Sequence, residues 1–500
     1  MRPLAPTSLE FLRLQSRRGA MGGVCFAGRR IGYAELTAEA ETLAAWLARR
    51  GVGAGQPVGV LAGNEPALVA VLYALWGLGA TAVPIGIRAT AAEAAQLLAH
   101  ARARGIVTDL ARADVGRDAA AATGVAAWAC APDLPLAPRV VRRGRARPAR
   151  PSTLAAIAYT SGTTGAPKGV MLTHDNFLWA TLACAQARGD GVDSVGACLS
   201  PLTHTPVLVS HLLCRILLGG TAVLVERFDV DAVLEAVERF GITDLSLIGG
   251  MVFDVVALSS VRATVRATVR KVSVGGAPTP MEAKRALAAR FPEAEIIEAY
   301  GQTESTDGVT MARGTSVFDR EGTIGRTNPH VVVAIAQPDG ALAAPGEEGE
   351  IVIAGPTVMA GYHRDRVASA AAVRDGWLRT GDLGRRDADG WFFVTGRLKE
   401  LIITGGENVS PGEVEEVLRA HPDVADVAVI GTPHPKWGEQ VTAVVVPRDG
   451  VAIDPGRLTA FAGARLAGYK KPRRIEFVSA LPRNAANKVQ TSVLRDQFGR

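Results

Sequence analysis

The stretch from Ala158 to Val170, which reads AYTSGTTGAPKGV, constrains the structure of this chain more than any other part of the sequence. It lies between two apolar runs, so the pattern predicts a strand, a loop of small and hydroxylated residues, and a second strand. Glycines in the loop permit backbone conformations closed to other residues and let main-chain N–H groups approach an anion. The lysine adds a positive charge. The sequence therefore predicts a polyphosphate-binding loop formed by Thr160, Ser161, Gly162, Thr163, Thr164, Gly165 and Lys168.

The order of residues separates this loop from the GxxxxGK[ST] loop, because Pro167 rather than glycine precedes Lys168 and no helix-capping Ser or Thr follows it. For such a loop taken alone, a plain turn of Gly, Ser and Thr is the alternative interpretation. The string TSGTTGAPKG is long, however, and it resembles the phosphate-binding loop of the adenylate-forming superfamily. That superfamily includes acyl-CoA synthetases, luciferases and nonribosomal adenylation domains.

The hydrophobic pattern predicts an α/β fold. In the first part of the chain, helices are predicted at 32–50, 67–77 and 91–103 and strands at 57–61 and 80–84. This alternation is typical of a parallel, layered α/β domain. From residue 410 the order helix, strand, strand, helix, strand predicts a compact α+β unit. The length of 500 residues allows both, and the resemblance implies a large N-terminal domain over 1–397 and a small mobile C-terminal domain over 398–500.

Charge and cysteine usage narrow the class of protein. The net charge of +6 comes largely from arginines, and the densest cluster is Arg139, Arg142, Arg143, Arg145, Arg147 and Arg150. Because alanines and prolines interleave with these arginines and aromatics do not, a solvated linker is favoured, with nucleic-acid binding as the alternative. The cysteines are odd in number and show no CxxC pair, as in a reduced protein without structural zinc.

Targeting and membrane signals are absent from the pattern. The first residues show no signal peptide. The uncharged stretch 67–85 is interrupted by glycines and Pro84, which favours a buried helix and strand over a membrane span. We expect a cytoplasmic protein without a nucleic-acid partner and without an integral membrane segment.

Two further motifs resemble the nucleotide-binding segments of the superfamily. The segment 272–278, VSVGGAP, is a predicted strand with a glycine turn, and the resemblance implies that Gly276 and Ala277 wall the adenine ring. The segment 296–304, IIEAYGQTE, is a predicted strand with a polar turn. The resemblance implies that Tyr300 and Gly301 lie beside the base and that Thr303 contacts the α-phosphate. It also implies that Glu304 and Thr164 bind Mg²⁺.

The C-terminal motifs imply the remaining catalytic groups. Asp382, in GWLRTGD, matches the acid that binds ribose hydroxyls. Arg397 matches a ribose or phosphate contact, and Lys399 matches the hinge about which the small domain turns. Lys488 matches the catalytic lysine. The family usually has glycine before this lysine, whereas Asn487 stands here, and asparagine also tolerates left-handed backbone.

The sequence motifs at the acyl and thiol sites are less specific than those at the nucleotide site. His204 matches a position that lines the carboxylate side of the acyl pocket, although a structural histidine is the common alternative. The pocket is expected from helix residues 177–182, the His204 turn, residues 247–251 and the residues after Glu304. Gly405 and Gly406 would leave room for the pantetheine arm of CoA, and Trp437 and Lys471 resemble CoA-contacting positions. A buried tryptophan and a solvated basic turn are the alternatives for the last two.

These motifs predict an AMP-forming acid–CoA ligase that uses ATP, Mg²⁺ and coenzyme A to activate a hydrophobic fatty or aromatic acid. The first alternative is a stand-alone adenylation enzyme that loads an acyl carrier protein. The second is a catalytically silent binding protein, which the presence of Lys168, Glu304, Asp382 and Lys488 disfavours. Asp307 leaves open an amino-acid substrate, because a carboxylate there could receive an α-ammonium group.

Overall fold

The computed structural model describes residues 8–129, 150–160, 167–276, 279–398, 400–404, 407–466, 468–483 and 488–499. Its α-helices are α1 Ser8–Arg18, α2 Tyr33–Ala48, α3 Pro66–Gly77, α4 Ala91–Ala101, α5 Ala113–Thr123, α6 His174–Arg188, α7 Cys214–Leu218, α8 Val230–Phe240, α9 Gly250–Val256, α10 Ala263–Thr268, α11 Met281–Arg290, α12 Ser316–Asp319, α13 Arg366–Ala372, α14 Pro411–Arg419, α15 Pro455–Gly463 and α16 Thr491–Phe498. Short 3₁₀ turns span Leu110–Arg112 and Thr303–Ser305, and a π-helix spans Val207–Leu213.

The strands alternate with these helices along most of the chain. They are β1 Gly23–Phe26, β2 Arg29–Gly32, β3 Pro57–Leu61, β4 Thr81–Pro84, β5 Gly105–Thr108, β6 Ala126–Ala129, β7 Leu154–Thr160, β8 Lys168–Thr173, β9 Val195–Cys198, β10 Thr221–Leu224, β11 Asp244–Ile248, β12 Lys271–Gly275, β13 Glu295–Gly301, β14 Gly308–Arg313, β15 Thr323–Thr327, β16 Val332–Ala336, β17 Glu348–Ala354, β18 Val373–Arg374, β19 Trp377–Arg386, β20 Phe392–Arg397, β21 Ile402–Thr404, β22 Glu407–Val409, β23 Val424–His434, β24 Gly438–Pro447 and β25 Arg474–Phe477. The predicted α/β class is confirmed, as are the helices and strands expected between residues 32 and 103.

The chain divides into two compact units. The larger unit comprises Met1–Glu321, Gly325–Val333 and Ile353–Arg379, and the smaller comprises Gly322–Ile324, Ala334–Val352 and Thr380–Arg500. The smaller unit therefore includes some residues before 397. The boundary expected between residues 397 and 398 concerns the position of a hinge and remains a prediction.

The larger unit contains two sheets. In the first, the strand order is β6-β5-β3-β4-β7-β8, with parallel pairing except between β7 and β8. In the second, the order β14-β13-β12-β11-β9-β10-β1-β2 has parallel strands from β13 to β1. Strands of such sheets are buried on both faces, so they read as continuous apolar runs rather than alternating ones.

The uncharged stretch 67–85 is part of the core of the larger unit. Helix α3 is buried from Leu68 to Trp76, and β4 follows it into the first sheet. Within the described part of the chain, no helix is both long enough and apolar enough to cross a membrane.

A buried ion network lies where β11 and β12 begin. Arg188 and Arg215 pair with Asp190 and Asp244 at N···O distances of 2.7–3.4 Å, and Lys271 pairs with Asp190 at 2.8 Å. Removing one partner of a buried pair leaves an uncompensated charge, at a cost of roughly 3–5 kcal/mol. The network therefore stabilises the position of the amino ends of these strands.

The smaller unit contains the predicted α+β arrangement. Strand β24 pairs with both β23 and β25. Helices α14 and α15 cover a core that includes Val414, Val441 and Leu458. Residues 334–352 and 380–397 contribute to four further strands, which pair in the order β16-β17-β19-β20. The helices and strands expected after residue 410 are confirmed.

Candidate active site

The carboxyl ends of the parallel strands β9, β11, β12 and β13 lie at one edge of the second sheet. Ile248, at the end of β11, is in register with Gly275 of β12, which is in register with Ala299 of β13. The segments that follow these strands contain the residues expected to bind acid and nucleotide. Because ligands of open α/β sheets bind at this edge, the fold gathers those segments where a substrate would lie.

The strands on both sides of the phosphate-loop motif form an antiparallel hairpin. Thr160, the last residue of β7, is directly opposite Lys168, the first residue of β8. The strands expected on either side of the loop are confirmed. Ser161, Gly162, Thr163, Thr164 and Gly165 lie outside the described residues.

Tyr362 joins the two charged groups that the sequence assigns to phosphate and metal. The ammonium nitrogen of Lys168 lies 4.9 Å from the centre of the Tyr362 ring. The Tyr362 hydroxyl donates a 2.9 Å hydrogen bond to Oε1 of Glu304. Burial and the Glu304 carboxylate raise the pKa of Tyr362 well above its usual value, so the hydroxyl keeps its proton and acts as a donor. Lys168 and Glu304, 136 residues apart in sequence, therefore share one neighbour.

The turn that carries Thr303 and Glu304 is braced by its own side chains. The main-chain N–H of Gln302 donates to the Ser305 hydroxyl at 3.0 Å, and that hydroxyl donates to the Asp307 carbonyl at 3.0 Å. Thr306 is buried with φ of 70°, a left-handed conformation that is costly for a β-branched residue. Its hydroxyl donates to the Thr357 carbonyl at 2.6 Å. These contacts fix the backbone on which Glu304 stands.

Asp307 is buried at the base of the same turn. One carboxylate oxygen accepts hydrogen bonds from the Ser210 hydroxyl and from the Cys184 thiol at 3.4 Å, and the other accepts from the Gly308 N–H at 2.7 Å. Burial raises the pKa of Asp307 to about 6. Both oxygens of the carboxylate thus already accept hydrogen bonds from the protein.

Glycines let the backbone approach closely beside the expected base site. Gly276 has φ of 72°, which favours glycine, and a Cβ added to Gly301 would lie 2.2 Å from the Asp307 carbonyl oxygen. Tyr300 ends the regular part of β13 and is half-buried. Ala277 lies outside the described residues.

His204 begins the helical turn that leads into the π-helix Val207–Leu213. Its N–H donates to the Pro201 carbonyl at 2.9 Å, and its carbonyl accepts from the Leu208 N–H at 3.1 Å. In the same loop, the Ser200 hydroxyl lies 3.9 Å from the sulfur of Met251. Ser200, four residues before His204, therefore lies beside the helix that follows β11, and the acyl pocket expected from these two segments remains a prediction. π-Helical turns occur often at functional sites.

Asp382 and Arg397 form an ion pair in the smaller unit. They are opposite each other on β19 and β20, and Arg397 Nε lies 2.8 Å from Oδ1 of Asp382. Asp382 is 5% exposed, and its N–H donates to the Thr380 hydroxyl at 3.0 Å. The carboxylate expected to bind ribose is therefore held in place by its main chain and by a guanidinium.

Lys488 belongs to the same electrostatic group. Partial burial of its ammonium and the charge of Arg397 lower its pKa, while Asp382 and Glu400 act in the opposite direction. The smaller unit thus gathers three of the predicted site residues, Asp382, Arg397 and Lys488, although up to 106 residues separate them in sequence.

Trp437 is not an open aromatic platform. The His434 ring stacks on it with centroids 4.4 Å apart, and the guanidinium carbon of Arg473 lies 3.6 Å from the ring centre. Two groups this close to one centroid must take opposite faces, so both faces of the indole are covered. Lys471 is half-buried beside Gly463 of α15. Lys399, Gly405 and Gly406 lie outside the described residues.

The sequence did not point to three of these groups. Tyr362, Ser210 and Arg473 each contact a predicted residue from a distant part of the chain. The only local signal was the glycine before Tyr362, which has φ of 122°. That signal marks a turn but not the partner of the tyrosine.

The donor set at Glu304 suits Mg²⁺. In the described part of the chain, no group of three or more His, Cys, Asp and Glu side chains could hold a metal ion. A cation at Glu304 would therefore take most of its ligands from phosphate and water oxygens. Mg²⁺ is commonly bound in this way, through one or two carboxylates and substrate phosphates.

Comparison with known proteins covers nearly the whole chain. The AMP-binding enzyme family matches residues 13–363, and the AMP-binding enzyme C-terminal domain matches residues 413–488. Feruloyl-CoA synthase from Amycolatopsis sp is 36% identical over 482 residues, covering 94% of this chain and 95% of the relative. Indoleacetate–CoA ligase from Aromatoleum aromaticum is 34% identical over 484 residues, covering 95% and 94%.

Solved structures agree with the fold. ATP-bound MatB from Rhodopseudomonas palustris superposes with a TM-score of 0.90 at 30% identity, covering 99% of both chains. The o-succinylbenzoate CoA synthetase MenE from Bacillus subtilis, in complex with the acyl-adenylate intermediate OSB-AMP, gives 0.85 at 28% identity, covering 97% of this chain and 98% of that chain. The fold, the motif order and these matches together establish that the chain belongs to the AMP-binding, adenylate-forming enzyme family.

Proposed function

We propose that this protein is an AMP-forming acid–CoA ligase that activates an aromatic carboxylic acid with ATP and transfers the acyl group to coenzyme A. The observation that carries the proposal is the contact series from Lys168, at the start of β8, through Tyr362 to Glu304, which follows β13. A cation and a carboxylate held by one tyrosine suit a nucleotide triphosphate with its metal. Two relatives that match along nearly the whole chain are named feruloyl-CoA synthase and indoleacetate–CoA ligase.

The first step converts the acid into a mixed anhydride with AMP, because a free carboxylate is a poor acyl donor. The oxygen of the acid attacks the α-phosphorus of ATP, and pyrophosphate leaves. Lys168 and the phosphate loop hold the leaving phosphates, Thr303 donates to the α-phosphate, and Asp382 accepts from the ribose hydroxyls. Mg²⁺ bound at Glu304 would supply charge neutralisation on the phosphates. Lys488 stabilises charge on the α-phosphoryl oxygens and the attacking carboxylate.

The second step transfers the acyl group to a thiol. We assign the thiol to coenzyme A, which the names of the relatives support. The basic and aromatic surface of Trp437, Arg473 and Lys471 suits the phosphates and the base. Because both faces of Trp437 are covered, an adenine would stack on the Arg473 guanidinium or displace it. The alternative acceptor is an acyl carrier protein.

An aromatic acid is favoured over an amino acid. Asp307 was the candidate receiver of an α-ammonium group, but its oxygens accept hydrogen bonds from Ser210, Cys184 and Gly308. Feruloyl-CoA synthase and indoleacetate–CoA ligase both act, by their names, on aromatic acids. Free buried cysteines such as Cys184 and Cys214, together with the proposed use of ATP and CoA, favour a cytoplasmic location.

The substrate class is tested by kcat/KM for AMP formation with CoA present. The panel comprises ferulate, indoleacetate, benzoates, C6–C16 fatty acids and phenylalanine. We expect ferulate, indoleacetate and the benzoates to exceed phenylalanine by at least about 10²-fold, since Asp307, the candidate partner for the ammonium group, already accepts three hydrogen bonds from the protein. A preference for phenylalanine would refute this account of Asp307, and a preference for fatty acids would refute the aromatic assignment.

Replacing Lys399 by proline is expected to separate the two steps. Proline fixes φ near −65°, so a hinge at this position could not make the rotation that admits the thiol. Single-turnover measurements should show near-normal acyl-AMP formation and a thioester step slowed about tenfold or more. Lys399→Ala, which leaves the backbone free, is the control and should be much less affected. Equal slowing of both steps by proline would contradict the hinge.

A further inference from the structure

Asn64 lies in the turn between β3 of the first sheet and α3, yet its side-chain amide is bonded to the carboxyl ends of β9 and β10 in the second sheet. The residue is 4% exposed. Its Nδ2 donates to the Ser200 carbonyl at 2.8 Å, and also to the carbonyls of Val225 at 3.2 Å and Cys198 at 3.3 Å. Its Oδ1 accepts from the Leu202 N–H at 2.8 Å. The amide therefore uses both its donor group and its acceptor group to join the two sheets.

The backbone that carries Asn64 is held by the first sheet. The Gly63 N–H donates to Oδ2 of Asp109 at 2.8 Å, and the Glu65 N–H donates to the Gly63 carbonyl at 2.8 Å. Asp109 follows β5, which pairs with β3, and its other carboxylate oxygen accepts from the Arg112 N–H at 2.9 Å. Because the turn is supported in this way, the Asn64 side chain holds its hydrogen-bond partners at a defined position.

The groups that Asn64 holds lie directly before His204. Its two shortest hydrogen bonds reach the Ser200 carbonyl and the Leu202 N–H, on either side of Pro201. The Leu202 N–H and the Pro201 carbonyl belong to one planar peptide group, so fixing the first also fixes the second. That carbonyl accepts from the His204 N–H at 2.9 Å. Asn64 therefore sets the position from which the His204 turn starts.

We infer that Asn64 is a positioning residue for the acid substrate, which places His204 at the carboxylate side of the acyl pocket through the peptide group between Pro201 and Leu202. The inference rests on the proposed function and on the role that the superfamily resemblance implies for His204. Asn64 acts through this peptide group rather than on the acid itself. Its contribution is geometric, and a displacement of about 1 Å at a substrate-positioning group can cost as much as about 10²-fold in rate.

The test compares the KM for the acid with the KM for ATP in two variants. Asn64→Ala removes all of these side-chain hydrogen bonds, and we expect it to raise the KM for ferulate or indoleacetate about tenfold or more. The KM for ATP should change by less than about twofold, because the partners of Asn64, in residues 198–202 and at 225, lie outside the nucleotide motifs. Asn64→Ser keeps a hydroxyl and should lie between wild type and alanine, and it remains a test if alanine prevents folding.

Two comparisons separate positioning of the acid from general stabilisation of the fold. Gln15→Ala removes another buried amide of the same unit, whose Nε2 donates to the Leu217 carbonyl at 2.7 Å. It should lower the melting temperature, as Asn64→Ala does, but leave the KM for the acid unchanged. In a His204→Ala background, Asn64→Ala should change the KM for the acid by less than about threefold, because both substitutions then act on the same contact.

The outcomes for the two proposals are distinct. Equal rises in the KM for acid and for ATP, or independent effects of the Asn64 and His204 substitutions, would overturn the positioning role in an enzyme that forms AMP normally. Absence of AMP formation by wild type with every acid would overturn the proposed reaction.

The ring signal of His204 in the NMR spectrum of histidine-labelled protein decides the positioning role in either case. It is assigned by its loss in His204→Ala. We expect this signal to shift in Asn64→Ser and to stay in place in Gln15→Ala. An unchanged signal in Asn64→Ser would overturn the positioning of His204 by Asn64, whether or not any acid is turned over.

Discussion

Replacing Lys488 by alanine is expected to lower the rate of acyl-adenylate formation by about 10²–10³-fold or more, the size of effect seen when a preorganised charge stabiliser is removed. Negative charge accumulates on the α-phosphoryl oxygens and the attacking carboxylate during this step, and no other described lysine belongs to the group of Asp382 and Arg397. Thioester formation from supplied acyl-AMP should be nearly unaffected, since no phosphate is attacked in that step.

The measurement is a single-turnover comparison of the two half-reactions in wild type and Lys488→Ala. Arg448→Ala is a suitable control, because Arg448 is an exposed cation of the same unit whose guanidinium donates to the Pro422 carbonyl. It should retain both half-reactions. An equal loss of both steps in the Lys488 variant would show that the lysine supports the structure of the unit rather than adenylation.

Glu304→Gln is the second substitution with a large expected effect. Glutamine keeps the size of the side chain and can still accept from the Tyr362 hydroxyl, but it loses the charge that would attract Mg²⁺. We expect adenylation to fall by about 10²-fold or more and the Mg²⁺ concentration for half-maximal rate to increase. Tyr362→Phe removes one hydrogen bond and should have a smaller effect, about tenfold.

Both variants are assayed for AMP formation over a range of Mg²⁺ concentrations. The matched control is Glu282→Gln, which neutralises an exposed carboxylate in the first turn of α11. It should behave as wild type. If Glu304→Gln required no more Mg²⁺ than wild type, Glu304 would not be the metal ligand, whatever its effect on the rate.

Local sequence patterns predicted much of the fold because its elements are marked by local chemistry. Apolar runs end at glycines where β11 and β12 end, and the hairpin around the phosphate loop follows from two short runs separated by small residues. The superfamily resemblance rests on strings of this kind. The residues proposed to act at the carboxyl edge could therefore be named before their positions were known.

Local sequence patterns could not predict contacts between distant segments. Nothing near Glu304 indicates that a tyrosine 58 residues later donates to it, and nothing near Trp437 indicates that Arg473 covers one face of its ring. Asp307 illustrates the limit most clearly. Its position after the TE motif allowed a substrate contact, whereas the fold places Ser210 and Cys184 against its carboxylate. Long-range packing, rather than local propensity, decides which polar groups remain available to a ligand.

The central claim, a two-step ligase with coenzyme A as acceptor, is tested most directly by product formation with purified protein, Mg²⁺-ATP and ferulate or indoleacetate, with and without CoA. We predict that AMP and the aryl-CoA thioester form in equal amounts, that multiple turnovers require CoA, and that acyl-AMP remains bound in its absence. Acyl-AMP that accumulates and is not discharged by CoA would contradict the account and point to a carrier protein as the acceptor.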